Sequence, residues 1–300
     1  MSQPAPSDEW VAAVVRDAVA APSMHNVQPW RFRYLHLRQS RAFEVWADFE
    51  RAMPHSDPDT RGFHLGCGAA LLNLRAAIAH AGWHSETRLL PDLTDRALLA
   101  SVRLAGRTGG VSGLGALCPA IRQRHSSRYP FEERQIPEPV RAALAATGLG
   151  SDQDLARWPR IDAPSVSTAD DGVPHYAFGP RKRGGKAPMR DFAGPRQVAG
   201  RDAADFEQNP QLALISTDHD RPEDWLHAGQ AMERALLLAT REGLASSFVT
   251  QPLEWADLRW PVRDPMTGTG YTQVLLRLGY GPNGPGTPRR PVSEVLDIEA

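Results

Sequence analysis

The sequence predicts an α+β fold made of two similar halves, on three observations. Short runs alternate apolar and polar residues at period two, two long helical stretches are apolar in their middles, and the grammar of the first returns 161 residues later. Gly68 and Gly229, Ala70 and Ala231, and Gly82 and Gly243 match at that offset, and a β-like run follows each helix, Trp83 to Leu90 and Leu244 to Thr250.

Ser7 is placed to cap a first helix whose opening turn carries Asp8 and Glu9, with Trp10, Val11, Val14, Val15, Ala18 and Val19 on one face; Pro22 ends it. Trp30, Phe32 and Tyr34 then alternate with their neighbours, as do Phe43, Val45 and Ala47, which predicts a strand pair or meander. A second helix starts after Asp57, Asp59 and Thr60 and runs through Leu65, Ala69, Leu72 and Ala76 to Gly82; its small, apolar middle predicts burial on all sides. Val140 to Ala146 carries a brief helical pattern. Pro222, Glu223 and Asp224 open the matching long helix, which ends at Gly243, and Val274 to Leu278 reads as a late strand. Between the halves, residues 163–202 keep no period and hold five prolines, six glycines and a cationic knot at Arg181, Lys182, Arg183 and Lys186. That stretch reads equally as a lid or as a solvated linker.

Composition excludes several classes. Of 300 residues, 41% are apolar and 23% charged, which is globular, and a net charge of −1 gives no basic field for a polyanion such as nucleic acid. The first residues lack a basic-then-apolar leader and no run has the ~18 uninterrupted apolar residues of a membrane span, so a cytoplasmic location is expected. Cys67 and Cys118 lie far apart without zinc spacing and are expected to be buried and reduced.

Three stretches can carry chemistry. In Ala21 to Phe32, APSMHNVQPWRF, two prolines bracket a turn presenting Ser23, His25, Asn26 and Gln28, a donor and acceptor set suited to an uncharged planar edge. Taken alone it reads as readily as an ordinary helix-to-strand corner. In RHSSRY, Arg124 and Arg128 flank hydroxyls at Ser126 and Ser127, a fork that suits a phosphate dianion. In TPRRPV, Arg289 and Arg290 follow the strand that ends at Gly279.

Together these motifs, with DPDTRGFHLGCGAALLNLRAA, AGQAMERALLLATREGLASSF, TQPLE and LLRLGYG, resemble the flavin-binding nitroreductases over most of the chain, and more closely the Acg-type branch. The resemblance implies a nitroreductase-like fold, internally duplicated into a single-chain pseudo-dimer, with halves at 1–115 and 116–300 and the lid or linker inside the second. It implies FMN as cofactor. Arg124, His125, Ser126, Arg128, Arg289 and Arg290 would serve its phosphate and ribityl chain, Pro22, Ser23, Met24, Asn26 and Gln28 its ring from the other half, and Thr250, Gln251 and Pro252 its N5 edge. Shifting either motif by 161 residues finds no second copy, so one FMN per chain is expected. Two departures stand out: the span from Phe131 to Asp171 is short for the branch, and Gln251 stands where many relatives are acidic. The implied activity is NAD(P)H-dependent two-electron reduction of nitroaromatic or quinone-like acceptors, with no catalytic side chain and no metal. An FMN-sequestering protein under a lid and an unliganded relic are the alternatives. A monomer or weak homo-oligomer is expected.

Overall fold

The structure, a computed structural model, describes residues 6–37, 40–108, 110, 113–145, 153–158, 173, 175–193, 198, 200–259, 261–262 and 270–299. Helix α1 (Asp8–Ala18) opens with the Ser7 hydroxyl accepting from Trp10 N at 3.2 Å and buries Val11, Val14, Val15 and Ala18. Strands β1 (Trp30–Leu37) and β2 (Ser40–Ala47) pair antiparallel, their alternate aromatic residues facing the core. Helix α2 (Arg61–His80) is buried at every position except Arg75 and His80. The Asp57 carboxylate takes the N–H groups of Gly62 and Phe63 at 2.8 and 2.7 Å, which fixes the start of the helix. Strands β3 (Trp83–Leu89) and β4 (Leu98–Arg107) follow.

The second half begins with short α3 (Cys118–Ile121) and α4 (Glu138–Ala145), then β5 (Gln153–Trp158). Strands β6 (Arg181–Gly184), β7 (Ala203–Asp205) and β8 (Gln211–Thr217) lead into α5 (Pro222–Arg241) and β9 (Ala245–Phe248). The chain closes through α6 (Ala256–Arg259), β10 (Tyr271–Gly279), α7 (Val292–Val295) and β11 (Leu296–Glu299).

Two larger sheets result, ordered β11-β1-β2-β4-β3 and β5-β8-β10-β9, beside the small β6-β7 pair. Without β11, the first order maps onto the second strand for strand, with α2 and α5 occupying the same place in the connection and every one of these pairings antiparallel. The helices meet at a symmetric point. A Cβ on Gly68 would lie 2.4 Å from the Leu226 carbonyl oxygen, and one on Gly229 would lie 2.2 Å from the Leu65 carbonyl oxygen. Residues 65 and 68 become 226 and 229 under the same 161-residue shift, so the sequence match marks the crossing itself.

Strand β11 reaches across and pairs in parallel with β1, Phe32 opposite Leu296. One expectation needs correction. The stretch 163–202, expected to lack regular structure, contains β6, which pairs in parallel with β7, and Gly185 there takes φ +91° where a side chain would meet the Phe206 backbone. Residues 163–172, 174, 194–197 and 199 of that stretch, and Ala146 of the expected short helix, lie outside the described residues.

Both cysteines are buried and free; burial pushes the Cys118 thiol up to about 11 and that of Cys67 higher still, so neither is a thiolate at neutral pH. Among the described residues, α2 is the one helix long and apolar enough to cross a membrane, and it is packed inside the protein.

Candidate functional site

A cleft with about 1280 Å³ of open space, its mouth included, lies between the halves beside the α2–α5 crossing. The first half contributes the turn Pro22–Asn26 and the start of α2 from Arg61 to Gly66; the second contributes the Arg124–Arg128 turn, Met232 of α5, Ser247 to Thr250, Gln273 to Leu275 and the 285–289 loop.

The first turn is bent by its own backbone. His25, Asn26 and Gln28 hold φ of +50°, +58° and +53°, left-handed values that ordinary residues adopt only when neighbours enforce them. Ser23 Oγ accepts from Gln28 N at 2.9 Å, and the second half supplies the remaining constraints. Asn26 donates to the Pro288 carbonyl at 3.1 Å and accepts from Arg289 Nη1 at 2.9 Å, while Gln28 Oε1 accepts from Arg290 N at 2.7 Å. The Arg124 turn is fixed differently: Ser126 bridges Ser246 of β9, Ser127 N donates to the Ser246 carbonyl at 2.7 Å, and Ser127 Oγ donates to Pro282 O.

The cations fall into two groups. Arg124 and Arg289 both donate to the Ala20 carbonyl at 3.2 Å, and His125 stands close enough that both lower its pKa, after the larger effect of burial. Arg124 Nε and Nη1 and Arg289 Nε are buried with no hydrogen-bond acceptor among the described residues. Beneath them lies fully buried Glu233, its Oε1 3.6 Å from Arg124 Nε; burial pushes its carboxyl up, against the pull of Arg124. Three nitrogens on two desolvated guanidiniums, one of them lowered to about 10 mainly by burial, lack a hydrogen-bond acceptor among the described residues; Arg124 Nε faces Glu233, and the other two are costly unless an oxyanion completes them. A phosphate fits that donor set.

Arg128 belongs to the second group. Its Nη1 donates to the Ala177 carbonyl at 3.0 Å, and its guanidinium lies 4.7 Å from the Phe192 ring centre, both residues of the connecting stretch inside the second half. Arg190 of the same connector lies 5.4 Å from that ring and pairs with Glu254 at 2.5 Å, both side chains about a tenth exposed. His25 meets Phe192 edge-on; burial, then Arg190, then Arg128 drive its pKa from 6.5 down to about 4, so the imidazole is neutral, and its buried Nε2 has no partner among the described residues.

Of the residues singled out from the sequence, Pro22, Ser23, Met24, Asn26, Arg124, His125, Ser126, Arg128, Thr250 and Arg289 line the cleft. Gln28, Gln251, Pro252 and Arg290 do not. Gln251 and Pro252 form a short 3-10 turn behind the wall, and Arg290 turns away to Asp48 at 3.1 Å, so with Gln28 it fastens the halves together. Sequence reasoning missed Arg61, buried and donating to the Gln273 and Leu253 carbonyls, and also Arg190, Glu254 and Glu233. For Glu233 a signal existed, a carboxylate inside an otherwise apolar helical stretch; for Arg190 there was none, since it sits in an aperiodic segment.

An α+β chain with this strand order and an arginine-lined cleft beside the α2–α5 crossing has the nitroreductase-like fold. No family profile matches the chain. A solved "putative nitroreductase" from Anabaena variabilis superposes with a TM-score of 0.51 at 13% identity, covering 93% of this chain and 90% of its own. "Putative NAD(P)H nitroreductase Rv3131" of Mycobacterium tuberculosis is 32% identical, over 97% of this chain and 92% of its own length. "Putative NAD(P)H nitroreductase acg" of the same species is 27% identical over 97% and 96%. The chain belongs to the nitroreductase family, in its Acg-type branch.

Proposed function

We propose that the protein is an FMN-binding, NAD(P)H-dependent oxidoreductase of nitroreductase type, holding one FMN per chain between its halves. The observation that carries this reading is the set of buried, unpaired guanidinium N–H groups on Arg124 and Arg289. Those two residues, with His125 and Ser126, take the phosphate. Arg128, grouped by the sequence with the phosphate ligands, instead faces the connector and the acceptor side. When bound, FMN supplies two-electron transfer between a nicotinamide and an acceptor. The chain's own part is to bind, orient and dry the site. Asn26, locked to Arg289, holds the turn of the first half against the ring position, and Leu65, Met232 and Val249 exclude water from the apolar wall.

A purified protein with bound flavin at one equivalent per chain is the expected result, measured by absorption after denaturation. Arg289→Ala should weaken FMN at least tenfold more than riboflavin, because charge-assisted hydrogen bonds to phosphate contribute ~1.5–3 kcal/mol each and only FMN has the phosphate. Equal losses for the two flavins, or two flavins per chain, would overturn the assignment. A second reading, FMN storage with little turnover, draws support from Met189, Arg190 and Phe192, which close one wall of the cleft. NAD(P)H oxidation by the loaded protein separates the two.

A further inference from the structure

Beyond the phosphate cradle, the cleft keeps a surplus of positive charge. Among the described residues, five arginines line it, Arg61, Arg124, Arg128, Arg190 and Arg289, against one lining carboxylate, Glu254. A phosphate dianion at Arg124 and Arg289 would cancel two of the five, and Glu254 pairs with Arg190 at 2.5 Å. Arg61 donates to backbone carbonyls and is held away from any incoming group. The lining cation left without a carboxylate partner among the described residues, once a phosphate is bound and Arg61 is set aside, is Arg128, beside the Arg190–Glu254 pair. The Arg128 and Arg190 guanidiniums lie 4.7 and 5.4 Å from the Phe192 ring centre, and His25 meets the same ring edge-on.

From this arrangement, and resting on the oxidoreductase reading, we infer that His25, Arg128, Arg190 and Phe192 form an acceptor subsite selective for aromatic compounds that carry a carboxylate. Each component has a part in recognition. Phe192, stacked on Phe178 with ring centres 6.2 Å apart, supplies apolar contact at the wall of the cleft for an aromatic ring. Arg128 and Arg190 supply N–H groups for carboxylate oxygens, with geometry that a lysine ammonium does not reproduce. His25 stays uncharged between two cations, so its buried Nε2 is a neutral hydrogen-bonding position, and an arriving anion relieves the repulsion between the two guanidiniums. A neutral aromatic of the same shape gains the ring contact alone. Glu254 opposes the preference, because it competes with the ligand for Arg190.

The test uses the protein saturated with FMN and two probes of equal shape, 4-nitrobenzoate and 4-nitrobenzamide, titrated by calorimetry. The carboxylate is expected to bind at least tenfold more tightly. Arg190→Met should reduce that advantage to within about twofold, and Glu254→Gln should enlarge it, opposite directions that a collapsed site cannot produce. Equal affinities in the unaltered protein, or an advantage untouched by both Arg190→Met and Arg128→Met, would overturn the subsite. Flavin absorbance on the same samples judges the oxidoreductase reading separately. Protein that fails to take up FMN yet keeps an Arg190-dependent preference for the carboxylate supports the subsite and counts against that reading; loaded protein with no preference does the reverse.

Discussion

At the scale of single residues, the site is shaped by groups held in states they would not choose alone. His25 is the clearest: its backbone is left-handed within the bent turn, and burial, then Arg190 and Arg128, keep its ring neutral. Its folded pKa of about 4 lies below the ordinary 6.5, so the folded chain binds fewer protons than the unfolded chain between those values. Stability from this residue is therefore full above pH 6.5 and is lost as pH falls toward 4, by at most about 3 kcal/mol. Denaturant titrations of the unaltered protein and of His25→Gln, run across that window, should differ in slope, with the variant flatter; parallel curves would mean the ring is protonated in the fold. Gly179 is a second case. It holds φ +69°, and a Cβ there would stand 2.3 Å from the Arg128 carbonyl oxygen, so Gly179→Ala should unseat residues 175–193 from the Arg128 turn. Limited proteolysis within that segment is expected to accelerate about tenfold, while an unchanged cleavage rate would show that the contact is dispensable.

Elements repeat this logic through packing. Helices α2 and α5 approach so closely because each places a glycine against the other's carbonyl, and both contacts are backbone to backbone, where nothing can yield cheaply. Gly229→Ala should cost about 3 kcal/mol or more and lower Tm by roughly 6–12 °C in a thermal melt. Those glycines, like the strand alternation of β1 and β2 and the apolar run of α2, are legible in the sequence because close packing selects residue size and period at fixed positions. The two polar turns are legible as motifs, but their grouping is not. Arg124 and Arg128 are four residues apart and read as one fork, yet Ser127 and Ser126 are tied to β9 and the 282 carbonyl, and the two guanidiniums serve different ends of the cleft. Gln28 and Arg290 look like ligands from their neighbours; the structure places both outside the cleft lining, bonded to each other and, for Arg290, to Asp48. Arg190 is illegible for a physical reason: its place depends on β6 finding β7 across residues that carry no period, where Arg181 N donates to the Asp202 carbonyl. Strand β4 has the alternation that was read in β1 and β2, and went unread beside its polar neighbours.

On the scale of the whole molecule, one chain does what two halves facing each other require. Strand β11 closes the first sheet at β1, with Phe32 opposite Leu296 and Leu35 opposite Glu299, so the first half is finished by the second. A chain stopped after Val295 should expose the β1 edge, lose several degrees of Tm and self-associate, whereas the full chain should scatter light as a single-chain species. A full chain found only as an obligate dimer, or a shortened one as stable and monodisperse as the original, would count against this account. The same closure has a temporal side. Gln28 and Arg290 are 262 residues apart, and the contact between them, like the β1–β11 pairing, can form only after nearly all of the intervening chain has been made and brought round. Arg289 arrives at Asn26 by the same route, so the cleft is among the last parts of the molecule to exist. Competence to hold a ligand there is thus a report that folding has gone to its end, and a cell supplying the ligand during synthesis would trap finished chains while leaving partly folded ones unrewarded.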